Sequence, residues 1–403
     1  MAVSSLLSRY RGLINYTILN YLDKFLTFSV PLLVLYLLRD RALYNEIEYI
    51  YSIAAIVSIV IELGVRNYFL YAYKEETERE VLVEKVRSCF LLQFVIYISL
   101  SIVLLGLTYL IGQDFRIVFL CITIRALFMY FISFFTIYYR LIDRPSFVFA
   151  FSISVNMLTI LVVLAFKGIS IELPLIYFFL GQIMLVGATL LFYVQHKNKV
   201  SFSVLSAYVK EALIFAWPII LNVFLFMFVS NYGKVYARNY LSEDQMFHIS
   251  FIQRIALVIQ LAHTSAVGYL SKRIFVEKGN SISYKILGLY SVMMALSVIG
   301  ILGLLFGMRI LDLKQAVPID LITVLIIVYT LAWCYGAYFE MYINKMNKNR
   351  YILFFSGVSA LIFISIVNLV SLEPLLRISL GMAASMICSL FMIVTFIMRK
   401  SRG

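Results

Sequence analysis

The chain carries little charge for its length. Of 403 residues only 14% are Asp, Glu, Lys or Arg while 63% are hydrophobic, a balance that excludes an ordinary soluble domain, in which about a quarter of residues are charged. Cysteine is scarce. Cys89, Cys121, Cys334 and Cys388 show neither a CxxC pair nor any spacing to histidine, so neither a disulfide framework nor a metal site is indicated, and they read as small apolar packing residues. Long polar segments are missing too. The longest, Lys74 to Ser88, Gln195 to Glu211 and Asn231 to Met246, are too short for a folded extramembrane domain, which needs about 50 residues. Any chemistry therefore belongs to the apolar body of the chain.

That body consists of twelve apolar stretches: Ile14 to Leu38, Tyr49 to Tyr71, Cys89 to Ile111, Ile117 to Tyr139, Phe147 to Phe166, Leu175 to Val194, Ala212 to Ser230, Phe247 to Leu270, Ile286 to Gly307, Leu321 to Ile343, Tyr351 to Val370 and Leu375 to Met398. A helix needs about 20 apolar residues to cross the hydrocarbon core. Stretches of that length, in a solvent that offers the backbone no hydrogen-bond partner, are expected to be helices. The first one reads as a span and not as a cleavable signal, because it contains Asp23 and Lys24 and lacks a small-residue cleavage site. The fold class expected is an all-α polytopic membrane protein with twelve transmembrane helices in two six-helix lobes around a central cavity. The inward segment before Ala212 divides it into an N-terminal lobe, 1–205, and a C-terminal lobe, 206–403. Pro31 and Pro218 stand in the opening helix of each half, a hint of two related, bent helices.

The formal net charge is +13, but its distribution follows the membrane. With the N-terminus inside, most of the 34 Lys and Arg residues fall in inward segments, the positive-inside pattern, so both termini are expected in the cytoplasm and nucleic acid is not implied as a partner.

Ionisable groups inside the spans carry the functional signal, because a charge at mid-bilayer costs at least about 2.5 kcal/mol and must face protein or water. On the first helix Asn20, Asp23, Lys24 and Thr27 share one face, with Asp23 and Lys24 roughly 15 Å from the inner end at 1.5 Å per residue. Ser58, Glu62 and Arg66 follow on the second helix, Arg125 on the fourth, Asn222, Ser230 and Lys234 on the seventh, Gln253, Arg254 and His263 on the eighth, and Trp333 and Glu340 on the tenth. The third, fifth, sixth, ninth, eleventh and twelfth spans hold no charge in their cores and read as lipid-facing or packing helices. The expectation is a water-accessible cavity between the halves, lined chiefly by the first, second, seventh and eighth helices with the fourth and tenth beside them. Basic groups outnumber acids there, which favours an anionic, phosphorylated substrate. The alternative is that Asp23 with Lys24 and Glu62 with Arg66 are ion pairs fixing helix packing, while Arg66, Arg140 and Lys234 snorkel to the interfaces. His263 can relay protons or serve as a hydrogen-bonded packing residue.

The segments Ile61-Glu62-Leu63-Gly64-Val65-Arg66-Asn67-Tyr68, Trp217-Pro218 through Asn222 to Ser230-Asn231-Tyr232-Gly233-Lys234, and Leu241-Ser242-Glu243-Asp244, set in a layout of six and six spans with minimal loops, resemble the polysaccharide-transport branch of the multidrug/oligosaccharidyl-lipid/polysaccharide exporter superfamily, more narrowly a Wzx-type O-antigen flippase. The resemblance implies a substrate of undecaprenyl pyrophosphate carrying an oligosaccharide, an O-antigen or capsule repeat unit, moved from the cytoplasmic to the outer leaflet of the bacterial inner membrane by alternating access. On that reading Lys24, Arg125 and Arg254 hold the pyrophosphate, Arg66 attracts it at the inner mouth, and Asn222 and Lys234 complete the substrate site. Asp23 and Glu62 bind a coupling proton or sodium. No cofactor, metal or catalytic residue is implied. The chain lacks the two extra helices of lipid II flippases. A multidrug or cation antiporter of the same superfamily would call for an acidic cavity, and a membrane glycosyltransferase or polymerase would call for a large outward loop; the sequence has neither.

Overall fold

The computed structural model describes residues 18–19, 21–27, 29–33, 35–36, 41–62, 80–81, 95–103, 106, 113–141, 146–165, 202–237, 240–276, 282–310 and 318–401. Among them all regular structure is helical. The chain divides into two compact units, Met1–Ile220 and Leu221–Gly403.

In the first unit, helical residues 21–27, 29–33, 35–36 and 95–103 accompany α1 (Arg41–Glu62), α2 (Gln113–Leu141) and α3 (Ser146–Ala165). α2 packs on both α1 and α3. The second expected span therefore starts earlier than its hydropathy suggests, at Arg41; its continuation beyond Glu62, including Arg66, and the sixth span at 175–194 lie outside the described residues.

The division between units falls inside α4 (Phe202–Asn231). This helix takes in residues 202–211, read from sequence as part of an inward loop. That stretch contains no Gly or Pro and its Lys210 and Glu211 are exposed: charged side chains lower the hydropathy without hindering a helix. After α4 a π-helical turn, Tyr232–Tyr236, leads to α5 (Glu243–Val276), α6 (Tyr284–Ile310), α7 (Leu321–Lys345), α8 (Asn349–Leu369) and α9 (Pro374–Ser401). Six segments of this half, Leu213–Val235, Glu243–Val267, Tyr284–Ile310, Leu321–Lys345, Asn349–Leu369 and Pro374–Lys400, are long and apolar enough to cross a membrane, and the protein is a multi-pass membrane protein. α7 lies at the centre of the second unit, packed on α5 and α9, while α8 packs on α9 and α6 on α5.

Local signals set the helix ends. α5 opens with a capping box: the Gln245 amide nitrogen donates to Ser242 Oγ at 3.3 Å and the Ser242 amide donates back to Gln245 Oε1 at 3.1 Å, satisfying two otherwise orphan donors. Glu243 and Asp244 occupy its first turn, where the helix dipole favours negative charge. Asp320 caps α7 by accepting from the Thr323 amide at 2.9 Å. That helix ends in a Schellman motif, with Lys348 N–H on the Ile343 carbonyl at 3.1 Å and Asn347 N–H on the Asn344 carbonyl at 3.0 Å. Asn347 holds the left-handed φ of 54° the motif requires. Pro374 starts α9, where its missing N–H costs nothing.

Candidate functional site

In the first unit the polar groups gather around the opening span. Asp23 is only 2% exposed. Its Oδ2 is 3.7 Å from Lys24 Nζ, and the lysine side chain is itself 38% exposed. The other carboxylate oxygen, Oδ1, is buried with no hydrogen-bond partner among the described residues. One turn on, Thr27 Oγ1 donates to the Asp23 carbonyl at 3.0 Å and accepts from Asn156 Nδ2 at 2.9 Å. Asn156, Ser152 and Thr159 are all buried on α3, so the fifth span, read from sequence as a plain packing helix, supplies the polar partner of the first. A buried carboxylate oxygen without a donor is costly unless a proton, a cation or water meets it.

Arg125, on α2, is 5% exposed. Its guanidinium lies over the Tyr51 ring at 4.1 Å from the centroid and over Phe128 at 4.8 Å. Sequence inspection finds no partner for this arginine on its own helix apart from ordinary packing; the structure adds a cation–π stack contributed by α1. Glu62 is half-buried at the end of α1.

In the second unit the expected cationic residues are buried. Arg254, on α5, is 5% exposed, and Lys234, in the π turn, 8%. The turn sits close against α5. A Cβ on Gly233 would lie 2.6 Å from Ile249 Cδ1, so a side chain there would require the end of the Ile249 side chain to shift. Gln253 fastens α5 to the end of α4 by donating to the Ser230 carbonyl at 3.0 Å.

Asn222 is drawn away from these cations. It lines a cavity of about 190 Å³ inside the second unit, together with Glu340 and Trp333 from α7, Ser356 from α8 and Ser389 from α9. Ser356 Oγ donates to Asn222 Oδ1, and Asn222 shares the cavity lining with the Glu340 carboxyl. Phe226 stacks on Trp333 at 5.1 Å and 22° to form an aromatic wall. Behind Trp333, His263 Nδ1 is 2.7 Å from Tyr290 Oη, which donates to the Cys334 carbonyl at 2.9 Å. His263 therefore has the hydrogen-bonded packing role. The eleventh and twelfth spans, read from sequence as lipid-facing or packing helices, contribute Ser356 and Ser389 to this cavity, and Glu340, placed by sequence near the end of its helix, is the only ionisable group among its described lining residues. Serines give no warning of this. Ser379 and Ser385 in these helices bond back to their own backbone, and a serine facing a cavity looks the same in sequence.

A volume of about 190 Å³ lies below the range of about 300–1,000 Å³ typical of sites for drug-sized molecules. It suits an ion with a few waters. Among the described residues no group of three or more His, Cys, Asp or Glu side chains is placed to hold a metal ion.

These features define a polytopic helical membrane protein with ionisable side chains inside both units. No family model matches the chain, and no curated protein matches it. Solved structures do. The lipid II flippase MurJ in an inward closed conformation aligns over 96% of this chain and 87% of its own at 16% identity with TM-score 0.60. A chain named protein A aligns over 96% and 95% at 14% identity with TM-score 0.67. An outward-facing multidrug resistance MATE family transporter of the MOP superfamily aligns over 97% and 96% at 11% identity with TM-score 0.51. At such identities the likeness establishes the fold: this chain has the helical fold found in MurJ and in that MATE transporter.

Proposed function

We propose that the protein is a flippase that moves an undecaprenyl-pyrophosphate-linked oligosaccharide, an O-antigen or capsule repeat unit, from the cytoplasmic to the outer leaflet of a bacterial inner membrane. Twelve spans form two six-helix lobes, 1–205 and 206–403, with both termini cytoplasmic, and the lobes rock about a central cavity so that it opens to one side at a time. The observation that carries this reading is the burial of cationic side chains in a protein of this fold: Arg125, Arg254 and Lys234 are each at most 8% exposed. Nothing but function or a compensating partner retains such groups in a membrane-embedded helix. With Lys24 and Arg66 they form the substrate-binding set, the guanidinium groups suiting the planar, bidentate recognition of pyrophosphate. The lipid tail stays in the bilayer while the head group crosses. The fold shared with the lipid II flippase MurJ supports the same class of cargo.

Movement against a gradient requires coupling. Asp23, with a buried oxygen that has no hydrogen-bond partner among the described residues, and Glu62 are the coupling acids of the N-terminal lobe, and the Glu340 cavity is a second coupling site in the C-terminal one. The coupling ion is a proton or sodium.

A cation or multidrug antiporter is the competing reading, favoured by one observation, the combination of Glu340 with the Phe226 and Trp333 rings, which suits an organic cation. The small cavity volume counts against it. Both are tested in proteoliposomes by following transbilayer movement of a pyrophosphate-linked oligosaccharide lipid with native protein and Arg254→Ala. The flippase reading expects protein-dependent movement that the variant loses. Extrusion of a cationic dye without lipid movement establishes the antiporter instead.

A further inference from the structure

Two carboxamides meet where α4 gives way to the π turn, and both are anchored by the same end. Asn231 closes α4, and its Nδ2 donates to the Met227 carbonyl one turn back at 3.0 Å and to Ser230 Oγ at 3.2 Å. Gln253, reaching across from α5, donates its Nε2 to the Ser230 carbonyl at 3.0 Å. A backbone carbonyl only accepts, so the end of each carboxamide that meets one is the nitrogen, and the network itself fixes which end is the oxygen.

Asn231 uses its position in an uncommon way. An asparagine that precedes a helical turn ordinarily bends its oxygen back onto an N–H of that turn, yet Asn231 stands before the π turn and makes no such bond. Neither Asn231 Oδ1 nor Gln253 Oε1 accepts a hydrogen bond among the described residues. Both side chains are half-buried, and neither oxygen is enclosed as the orphaned Oγ of Ser250 on α5 is. An accessible oxygen on a membrane-embedded helix faces water or a polar ligand, because lipid offers it no donor. Turns of π helix are rare and concentrate at functional sites.

The neighbours narrow the ligand. Two amide oxygens carry partial negative charge and repel the oxygens of a phosphate. Lys234, three residues beyond Asn231 and 8% exposed, places an ammonium nearby that disfavours a second cation. A neutral group that donates hydrogen bonds is what suits the pair, and in a lipid-linked saccharide that group is the sugar hydroxyl.

We propose that Asn231 and Gln253 form a subsite whose two fixed carboxamide oxygens accept hydrogen bonds from the sugar hydroxyl groups of the cargo. This rests on the flippase reading given above and divides the recognition within it: cations take the pyrophosphate, carboxamides the sugar. In the topology of that reading the end of α4 lies on the outer side, so the sugars are held there as they leave.

The test measures equilibrium binding of two radiolabelled probes to the purified full chain in detergent. One is undecaprenyl pyrophosphate and the other is the same lipid carrying three hexoses, each in choline chloride and in sodium chloride of equal ionic strength. A neutral hydrogen bond is worth about two- to tenfold in affinity. The native protein should therefore bind the sugar-bearing lipid at least about fivefold tighter. Asn231→Ala and Gln253→Met should each remove about two- to tenfold of that affinity and change binding of the bare lipid by less than about twofold. Equal affinity of the native protein for the two lipids overturns the subsite with no variant needing to fold, and so does a sugar advantage that survives both substitutions. A sodium-dependent affinity that both substitutions abolish assigns the oxygens to a cation and also overturns it. Bare-lipid binding without a sugar advantage refutes the subsite alone, whereas binding of neither lipid refutes the flippase reading and the subsite with it.

Discussion

Replacing Tyr290 by Phe removes one oxygen atom from the centre of the second unit and leaves the ring contacts in place. Tyr290 is fully buried, and its ring stacks on Tyr338 at 4.6 Å and 21° and meets Tyr335 edge-on at 5.2 Å. The hydroxyl does two things. It gives its proton to the Cys334 carbonyl at 2.9 Å, so it must accept at His263 Nδ1, 2.7 Å away, and this makes the Nδ1-protonated tautomer of His263 the one present. Three helices, α5, α6 and α7, are thereby joined through one atom. In Tyr290→Phe the Cys334 carbonyl keeps its helical partner, but the buried imidazole N–H is orphaned. Interhelical hydrogen bonds in membrane proteins contribute about 0.6 kcal/mol on average and up to about 1.7, and an orphaned buried donor costs about 1–3 kcal/mol. The expected loss is about 1–3 kcal/mol of unfolding free energy. It is measured by SDS titration of purified protein, using tryptophan emission, since Trp333 lies 5.5 Å from the His263 ring. In a His263→Phe background no donor is left to orphan, so the same tyrosine substitution should cost at least about 0.5 kcal/mol less, the coupling expected of residues in one network. A Tyr290→Phe protein within about 0.5 kcal/mol of native, the range of an innocuous surface change, refutes the reasoning, as does an equal cost in both backgrounds.

Three further outcomes follow from particular contacts. A methyl group at Gly381 would lie 3.1 and 3.3 Å from the buried Phe363 ring and 3.4 Å from Val367, so Gly381→Ala should lose about 1 kcal/mol despite alanine's better helix propensity; Gly303→Ala, with no atom within 4 Å of the added carbon, should show no loss in the same SDS titration. Asp320→Ala removes the cap of α7 and should cost about 1 kcal/mol, most of it restored by Asp320→Asn; equal stability of all three proteins contradicts the capping role. Asp23→Asn keeps the shape of the side chain but loses its charge, and should abolish the gradient dependence of transport while the protein elutes from size exclusion as native does; unchanged coupling removes Asp23 from the mechanism.

The membrane-spanning helices of the second half were legible because lipid demands long apolar runs, and the apolar runs of the sequence coincide with the segments found. Helix ends were less so. Residues 202–211 and the start of α1 at Arg41 carry charge on a helical backbone, and hydropathy cannot tell a polar helical turn from a loop. Buried ionisable groups were also legible one at a time, since Asp23, Arg125, Arg254 and Lys234 stand out against apolar neighbours and prove buried. Their partners were not. Arg125 with Tyr51, Thr27 with Asn156 and Asn222 with Ser356 are long-range pairs created by packing, and no local spacing encodes them. Small hydroxyls are the hardest case. A serine on an apolar helix satisfies itself on the preceding turn at little cost, so nothing in the sequence separates Ser379, bonded to Leu375 in its own helix, from Ser356, which donates to Asn222 in the cavity lining.

The central claim is that the chain carries a pyrophosphate-linked oligosaccharide lipid across a bilayer at the expense of an ion gradient. The measurement that tests it most directly is the rate at which such a lipid, labelled on its sugar, becomes accessible on the far leaflet of proteoliposomes, with a proton gradient imposed and then collapsed by an ionophore. The account predicts protein-dependent movement that slows when the gradient is collapsed. Movement absent under both conditions, from protein whose helical content and unfolding transition are intact, contradicts it.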